Sequence, residues 1–352
     1  MNNILVIKLS AIGDVIHAIP AIHALKEYRP SAHISWVVEP AARDIVAMCS
    51  DVDEIIVFPK KELKTRQGFL RHFIPFRRLL QKHYYDVSMD LQGLFKSAAI
   101  AFFVRAHQKI GTGFMREGAS LISRPIRGAH MDGHIVEQNL DVVRTLGCPA
   151  DKAVFSFCIS AQDVQSAEEK RLAVCGQNTR YAPLIVGASR ANKRWPTTFF
   201  ARLADQLRGR GIMPILVGGG ADDVRRAEEI QQAANAPVAS LVEQTSLPEL
   251  AALFRGAAVV IGGDTGPTHL SDALDVPTLM MMGSWPPTRN GLYRQPENVI
   301  EIERSCRRCM KRICPLGLDC LADITPDRVM ARAENILAGV PAMREEWDGG
   351  RM

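Results

Sequence analysis

This sequence predicts two doubly wound α/β domains, each a mostly parallel sheet flanked by helices. Three observations lead to that fold class. Short apolar runs alternate with amphipathic stretches through both halves of the chain, which is the pattern that βαβ crossovers produce. At 352 residues the chain is too long for one ordinary core, so two domains are expected. A stretch poor in strand signals, "CPADKAVFSFCISAQDVQSAEEKRLAVCGQN", divides the alternation near residues 150–175. We place the domains at 1–160 and 161–325, with a terminal helix and tail at 326–352 that can pack back on the first domain.

In the first half, "NILVIKL" reads as a buried strand and "IPAIHALKEYRP" as a helix, with Pro20 near its start and Pro30 just beyond its end. "HISWVVE", "EIIVFP" and "YDVSMDLQG" follow as strands. In the second half, "APLIVGAS", "MPILVGGG", "AAVVIGGD" and "PTLMMMG" are strands, and "TTFFARLADQLRGRG", "SLPELAALFRG" and "THLSDALD" are helices. Two such sheets direct their ligand loops from the carboxyl ends of the strands toward a shared cleft.

The composition, 47% apolar and 23% charged, describes a globular protein. No apolar run reaches the ~18 residues of a membrane span. "MNNILVIKLS" lacks the basic and long apolar regions of a signal peptide, so a cytoplasmic protein with eight reduced cysteines is expected. The net charge is +5 but unevenly spread. Residues 60–127 hold fourteen Lys/Arg against four acids, which suits a phosphorylated ligand, an anionic membrane face or nucleic acid. The bland alternative is a solvated surface.

Four loops follow strands and can carry chemistry. In "KLSAIGDVIHAIP", small residues Ser10, Ala11 and Gly13 leave room for a ligand. Asp14 is there either a general base or a helix cap. In "VGASRANKRWPTTFF", Ser189 and Lys193 offer a hydroxyl and a point charge suited to phosphate. "LVGGGADD" permits close backbone approach, with Asp222 or Asp223 either on a ribose or merely starting a helix. In "GGDTGPTHLSDALDVPT", Pro267 opens a helix whose free N–H groups and dipole attract anions. Thr265, Gly266 and His269 can meet a diphosphate there, and Asp264 organises the loop. The chain has no GxxxxGK[ST] loop, and the first βα turn lacks GxGxxG, which counts against dinucleotide binding and an NAD-dependent oxidoreductase.

"CRRCMKRICPLGLDC" places Cys306, Cys309, Cys314 and Cys320 within fifteen residues. The first pair has metal-like C-x2-C spacing and the rest fits no standard zinc pattern. Zinc, an iron–sulfur cluster, a disulfide pair and packed thiols are all open, with a structural role favoured over a catalytic one. A Cys-metal nucleic-acid-binding protein is a rival class. Against it, the basic belt lies far from the cysteines, and Phe69, Phe73, Phe76, Tyr84 and Tyr85 read as core and helix faces rather than stacking platforms.

Taken together, "KLSAIGDVIHAIPAIHALK", "DLQGLFKSA", "GHIVEQN", "ASRANKRWP", "GGDTGPTHLSDALDVPTLMMMG" and "SCRRCMKRICPLGLDC" resemble glycosyltransferase family 9, the ADP-heptose:lipopolysaccharide heptosyltransferases. The resemblance implies a GT-B fold, two Rossmann-like domains facing a central cleft, with acceptor on the first and nucleotide-sugar on the second. It implies inverting transfer of L-glycero-D-manno-heptose from ADP-heptose to the Kdo or heptose of the lipopolysaccharide inner core, with no cofactor and no catalytic metal. Asp14 becomes the base. Ser189, Lys193, Asp222, Asp264, Thr265, Gly266 and His269 become donor contacts, Lys193 also catalytic. Ser10, Gly13, Lys61, Lys64, Gln92, Lys96 and His134 become acceptor contacts. The implied partners are ADP-heptose, a lipid A-linked acceptor and the cytoplasmic face of the inner membrane, with no nucleic acid. The alternative within the same chemistry is a GT-B transferase using another nucleotide-sugar.

Overall fold

The computed structural model describes residues 1–339. They fall into two units, Met1–Cys158 and a second that begins at Ile159. The first contains β1 (Asn3–Ile7), β2 (His33–Val38), β3 (Glu54–Val57), β4 (Tyr85–Asp90), β5 (Ala106–Thr112) and β6 (Arg124–Ile126). They form one parallel sheet in the order β3-β2-β1-β4-β5-β6. β1, at the centre, is nearly all apolar because helices cover both faces. Ile4, Leu5, Val6 and Ile7 have no exposed surface.

The second unit repeats the plan with β7 (Tyr181–Ile185), β8 (Met213–Val217), β9 (Ala239–Ser240), β10 (Val260–Gly263), β11 (Thr278–Met282) and β12 (Val299–Glu301). The order is β12-β11-β10-β7-β8-β9, again parallel. In chain order this is the same arrangement as the first sheet. Both are Rossmann-like, and each reverses direction at its middle, between β1 and β4 in one and between β7 and β10 in the other. Loops leaving the carboxyl ends of those two strands diverge and open a crevice for ligands.

The strands read from the sequence are present. β5, β6, β9 and β12 were not read, and all four lie toward sheet edges. Helix Ala161–Cys175 follows the divide. Helix Pro326–Ala338 buries Val329, Met330 and Ala333 in the core that holds Trp195 and Phe200. That buried face is therefore used inside the second unit, and in helix Pro326–Ala338 it does not pack back on the first. The tail from residue 340 lies outside the described residues. Among the described residues no helix is long and apolar enough to cross a membrane.

Phe200 is buried among Leu184, Trp195 and Leu203. Phe200→Ala should destabilise the second unit by about 3–5 kcal/mol. Denaturant unfolding checks this, and a change below about 1 kcal/mol would show that the site collapses around the cavity.

Candidate active site

In the second unit the loops after β7 and β10 meet at the reversal of the sheet. After β10 the chain passes Asp264 and Thr265 and enters helix Gly266–Ala273. Thr265 stands at the N-cap in extended backbone with no side-chain cap bond. The amides of Thr268 and His269 both bond back to the Thr265 carbonyl. Pro267 has no N–H, so the Gly266 amide is left as a first-turn donor without a backbone partner among the described residues. The sequence expectation of an anion-attracting helix start thus has a concrete donor.

Asp264 is only 8% exposed. Its Oδ2 lies 2.5 Å from Lys193 Nζ and its Oδ1 3.3 Å from His269 Nε2. Burial pushes this carboxyl up, but His269 and Lys193 outweigh that effect and hold it below the usual carboxylate range. Asp264 therefore organises side chains: it fixes the ammonium of Lys193, from the 3₁₀ turn Ala191–Lys193, beside the helix start. The Lys193 carbonyl lies against Gly263, where an added Cβ would stand 2.7 Å from it.

The remaining donor-side residues separate. Ser189 is exposed on the same loop. Asp222 pairs with Arg194 and Arg225, so its carboxylate is already engaged by two guanidinium groups. Its neighbour Asp223 accepts from the Gly219 amide at 2.9 Å and packs on Gly187. Arg226, which sequence reasoning missed, donates to the Val186 carbonyl at 2.7 Å and the Trp195 carbonyl at 2.5 Å. It braces both ends of the Lys193 loop from a helix some thirty residues downstream, where no local pattern marks it.

In the first unit, β1 leads through Ser10 into helix Ile12–Ile16, and β4 leads into the Gln92 turn. Asp14 is half-buried in that helix, with Oδ2 accepting from the Ala11 amide at 3.2 Å. It is thus a cap, and its other oxygen has no protein partner among the described residues. Gly13 is buried beside it. Gln92 Oε1 accepts from the amides of Leu9 and Ser10, at 3.1 and 3.2 Å, so Gln92 shapes the Ser10 loop. Buried Asp90, unremarked in the sequence, accepts from the amides of Gln92 and Gly93 and from Ser97 Oγ. Burial raises its carboxyl despite those bonds.

Lys96 does not stand free. It pairs, with Lys60, on Glu39, which is buried. Burial pushes Glu39 up, but hydrogen bonds from Lys60 and Lys96 prevail and lower it. Lys61 and Lys64 lie exposed on the turn before helix Arg66–Leu80, apart from the Ser10 loop in sequence and by element. His134 caps helix Ile135–Arg144, accepting from the Val136 amide at 3.2 Å, with its ring edge-on to His17.

Among the described residues one trio brings potential ligand atoms as close together as a metal requires. His33, Glu54 and His83 bring ligand atoms within 4.8 Å of one another, near the amino ends of β2, β3 and β4. Lys82 and Ser35 already engage that Glu54. Cys306, Cys309, Cys314 and Cys320 line one cavity. Backbone amides of Leu318 and Leu316 hold the Cys314 thiol below its ordinary value, and burial pushes Cys320 up to about 11.

The family model described as "Glycosyltransferase family 9 (heptosyltransferase)" matches residues 74–318. The chain is 28% identical over 363 aligned positions to lipopolysaccharide heptosyltransferase 1 of Pseudomonas aeruginosa, covering 97% of this chain and 99% of that protein. Among solved structures it is similar to a glycosyl transferase family 9 protein from Veillonella parvula, with TM-score 0.81, 22% identity and coverage of 96% and 98%. It is also similar to E. coli heptosyltransferase WaaC with ADP, with TM-score 0.76, 24% identity and coverage of 95% and 99%. These likenesses agree with the two-Rossmann GT-B fold.

Because the Asp264 carboxyl titrates below its unfolded value, its contribution to stability is full above about pH 5 and is lost as pH falls through the folded value. Asp264→Asn should therefore lie furthest below wild type near neutrality, with the gap closing between about pH 5 and pH 2. Denaturant unfolding across that range checks it; a constant gap would refute the assignment.

Proposed function

The chain belongs to glycosyltransferase family 9, and from that premise we propose that it transfers L-glycero-D-manno-heptose from ADP-heptose to the lipopolysaccharide inner core, with Kdo as the acceptor sugar. The choice of Kdo follows the end-to-end likeness to a protein named lipopolysaccharide heptosyltransferase 1. One observation carries the donor half: a lysine ammonium fixed 2.5 Å from a buried carboxylate, beside a helix start whose Gly266 amide has no backbone partner among the described residues.

The acceptor hydroxyl oxygen bonds to the anomeric carbon from the face opposite the phosphate, and the bond to ADP breaks with its electrons leaving on ADP. Asp14 takes the hydroxyl proton through the oxygen that does not cap Ala11. Lys193 and the Gly266 amide stabilise the charge that grows on the departing diphosphate. Thr265 and Ser189 supply hydroxyls, and Ser10 and Gly13 leave space for the acceptor. No step calls for a metal. Gln92 and Lys96 act indirectly, through the Ser10 loop and Glu39.

The acceptor is lipid-linked, so we place the protein at the cytoplasmic face of the inner membrane. Helix Arg66–Leu80 supports this. Leu70 and Ile74, 68% and 54% exposed, lie one turn apart among Arg66, Arg71, Arg77 and Arg78. That is the arrangement of a helix lying in an anionic interface.

Release of ADP from ADP-heptose should occur with a Kdo-terminated lipid acceptor and fail with a heptose-terminated one. Asp14→Asn should lower turnover by about 10²–10⁴ and Lys193→Ala by about 10²–10³. Release with the heptose-terminated acceptor alone would move the protein to the second heptose, and release with neither would overturn the heptose reading. In a flotation assay, wild type should travel with phosphatidylglycerol vesicles and Leu70→Asp/Ile74→Asp should not. Equal flotation of both would remove this helix from the membrane contact.

A further inference from the structure

Between Glu301 and the 3₁₀ turn Cys320–Asp323 the chain forms no helix or strand. This stretch turns its own apolar side chains outward: Met310, Ile313 and Leu316 are all exposed. Hydrophobic burial therefore gives it little reason to hold one shape, and irregular segments of this length in compact domains usually have a functional reason. What it gathers around one cavity is sulfur, with Cys320 buried, Cys306 and Cys314 half-buried and Cys309 exposed. Cys306, Cys309, Cys314 and Cys320 line a cavity of about 120 Å³ with Gly283, Ser284 and Ile302, and all four cysteines are unbridged. Arg304 and Arg308 are paired with Asp323 and Glu301, while Arg307, Lys311 and Arg312 lie in the same stretch, a cationic setting that offsets the net negative charge of a divalent ion on four thiolates.

The stretch is also tied to the donor loop. The amides of Arg308 and Met310 donate to the carbonyls of Gly283 and Ser284, at 3.1 and 2.6 Å. Buried Asn192 donates from Nδ2 to the Lys311 carbonyl at 2.9 Å and to Ser284 Oγ at 3.1 Å. Asn192 directly precedes Lys193 in one 3₁₀ turn. The turn that carries Lys193 is thus hydrogen-bonded, through Asn192, to a carbonyl in the cysteine stretch.

We propose that Cys306, Cys309, Cys314 and Cys320 bind one thiophilic divalent ion, Zn²⁺ or Fe²⁺, and that the ion, by fixing Lys311, positions Asn192 and the Lys193 turn. Four sulfur donors suit either metal, and each thiol gives up its proton to solvent on binding. The cysteines and Asn192 are positioning residues here. The metal assignment stands on its own; the positioning half rests on the donor reading above.

Elemental analysis of the full chain, purified without chelator, should find about one zinc or iron per chain and name which it is. Cys309→Ser and Cys314→Ser should abolish it. The second probe is ADP itself. Removing the ion with a chelator should weaken ADP binding by about tenfold, the scale of one lost polar contact, and re-adding the metal should restore it. Asn192→Ala, which leaves every thiol in place, should keep the ion and show the same loss. A metal-free protein with four reactive thiols, or with a disulfide among them, would overturn the site. An ion present but without effect on ADP affinity, in both the chelated protein and Asn192→Ala, would overturn the positioning role. An ion-bearing wild type that does not bind ADP would uphold the site and overturn the donor reading.

Discussion

A parallel sheet covered by helices on both faces leaves only its ends for polar chemistry, and the arrangement of every candidate residue here depends on that constraint. Both sheets reverse at their centre, so the loops after β1 and β4, and after β7 and β10, are the ones that can open around a ligand. Asp14, Ser10 and Gln92 come from the first pair. Lys193, Asp264 and His269 come from the second. Residues far apart in sequence meet because strand order, not chain order, sets their neighbours: Lys193 and Asp264 are 71 positions apart and in contact.

Three buried carboxylates, Glu39, Asp90 and Asp264, stand at the carboxyl ends of strands β2, β4 and β10, and the way each charge is compensated differs. Asp90 is held by two amides and a hydroxyl, with Lys8 acting on it through its field, and burial still raises its carboxyl. Glu39 and Asp264 are paired to lysines and are lowered. Hydrogen bonds suffice to shape a turn. A carboxylate that must stay ionised while buried needs a cation, and in doing so it fixes that cation in place. The basic belt of residues 60–127 is accordingly less free than its composition suggests, since Lys60 and Lys96 converge on Glu39 and Lys82 on Glu54.

β1, β7, β8 and β11 are legible because burial on both faces makes them nearly continuous apolar runs. β9 and β12, two and three residues long at the sheet edge, leave too short a pattern to read. β5, "AHQKIGT", mixes polar residues because it lies toward an edge. At the site, Lys193, Asp264 and His269 were legible from loops that follow strands. Their mutual pairing was not, because sequence gives position along the chain and not the direction of a side chain. For the same reason Lys96 reads as an acceptor contact and is held by Glu39, and Asp222, which reads either as a ribose contact or as a helix start, stands between two arginines. Arg226 had no signal at all, since its role is defined by carbonyls 40 and 31 positions away.

In the proposed reading Asp264 presents a difficulty that its geometry resolves. A carboxylate close to a diphosphate opposes binding, and it also reduces the field of Lys193. Yet a lysine left to itself would sample many rotamers and be ordered by the ligand at an entropic cost. An ammonium has three N–H donors, and Asp264 occupies one of them, so the others stay available in a fixed place. The opposing field acts on ground state and transition state together and weakens binding in both. The fixed donors act most on the charge that develops as the sugar–phosphate bond breaks, which is where a stabilising interaction raises turnover. A paired lysine beside a helix start is therefore better suited to the departing diphosphate than to holding the intact donor tightly.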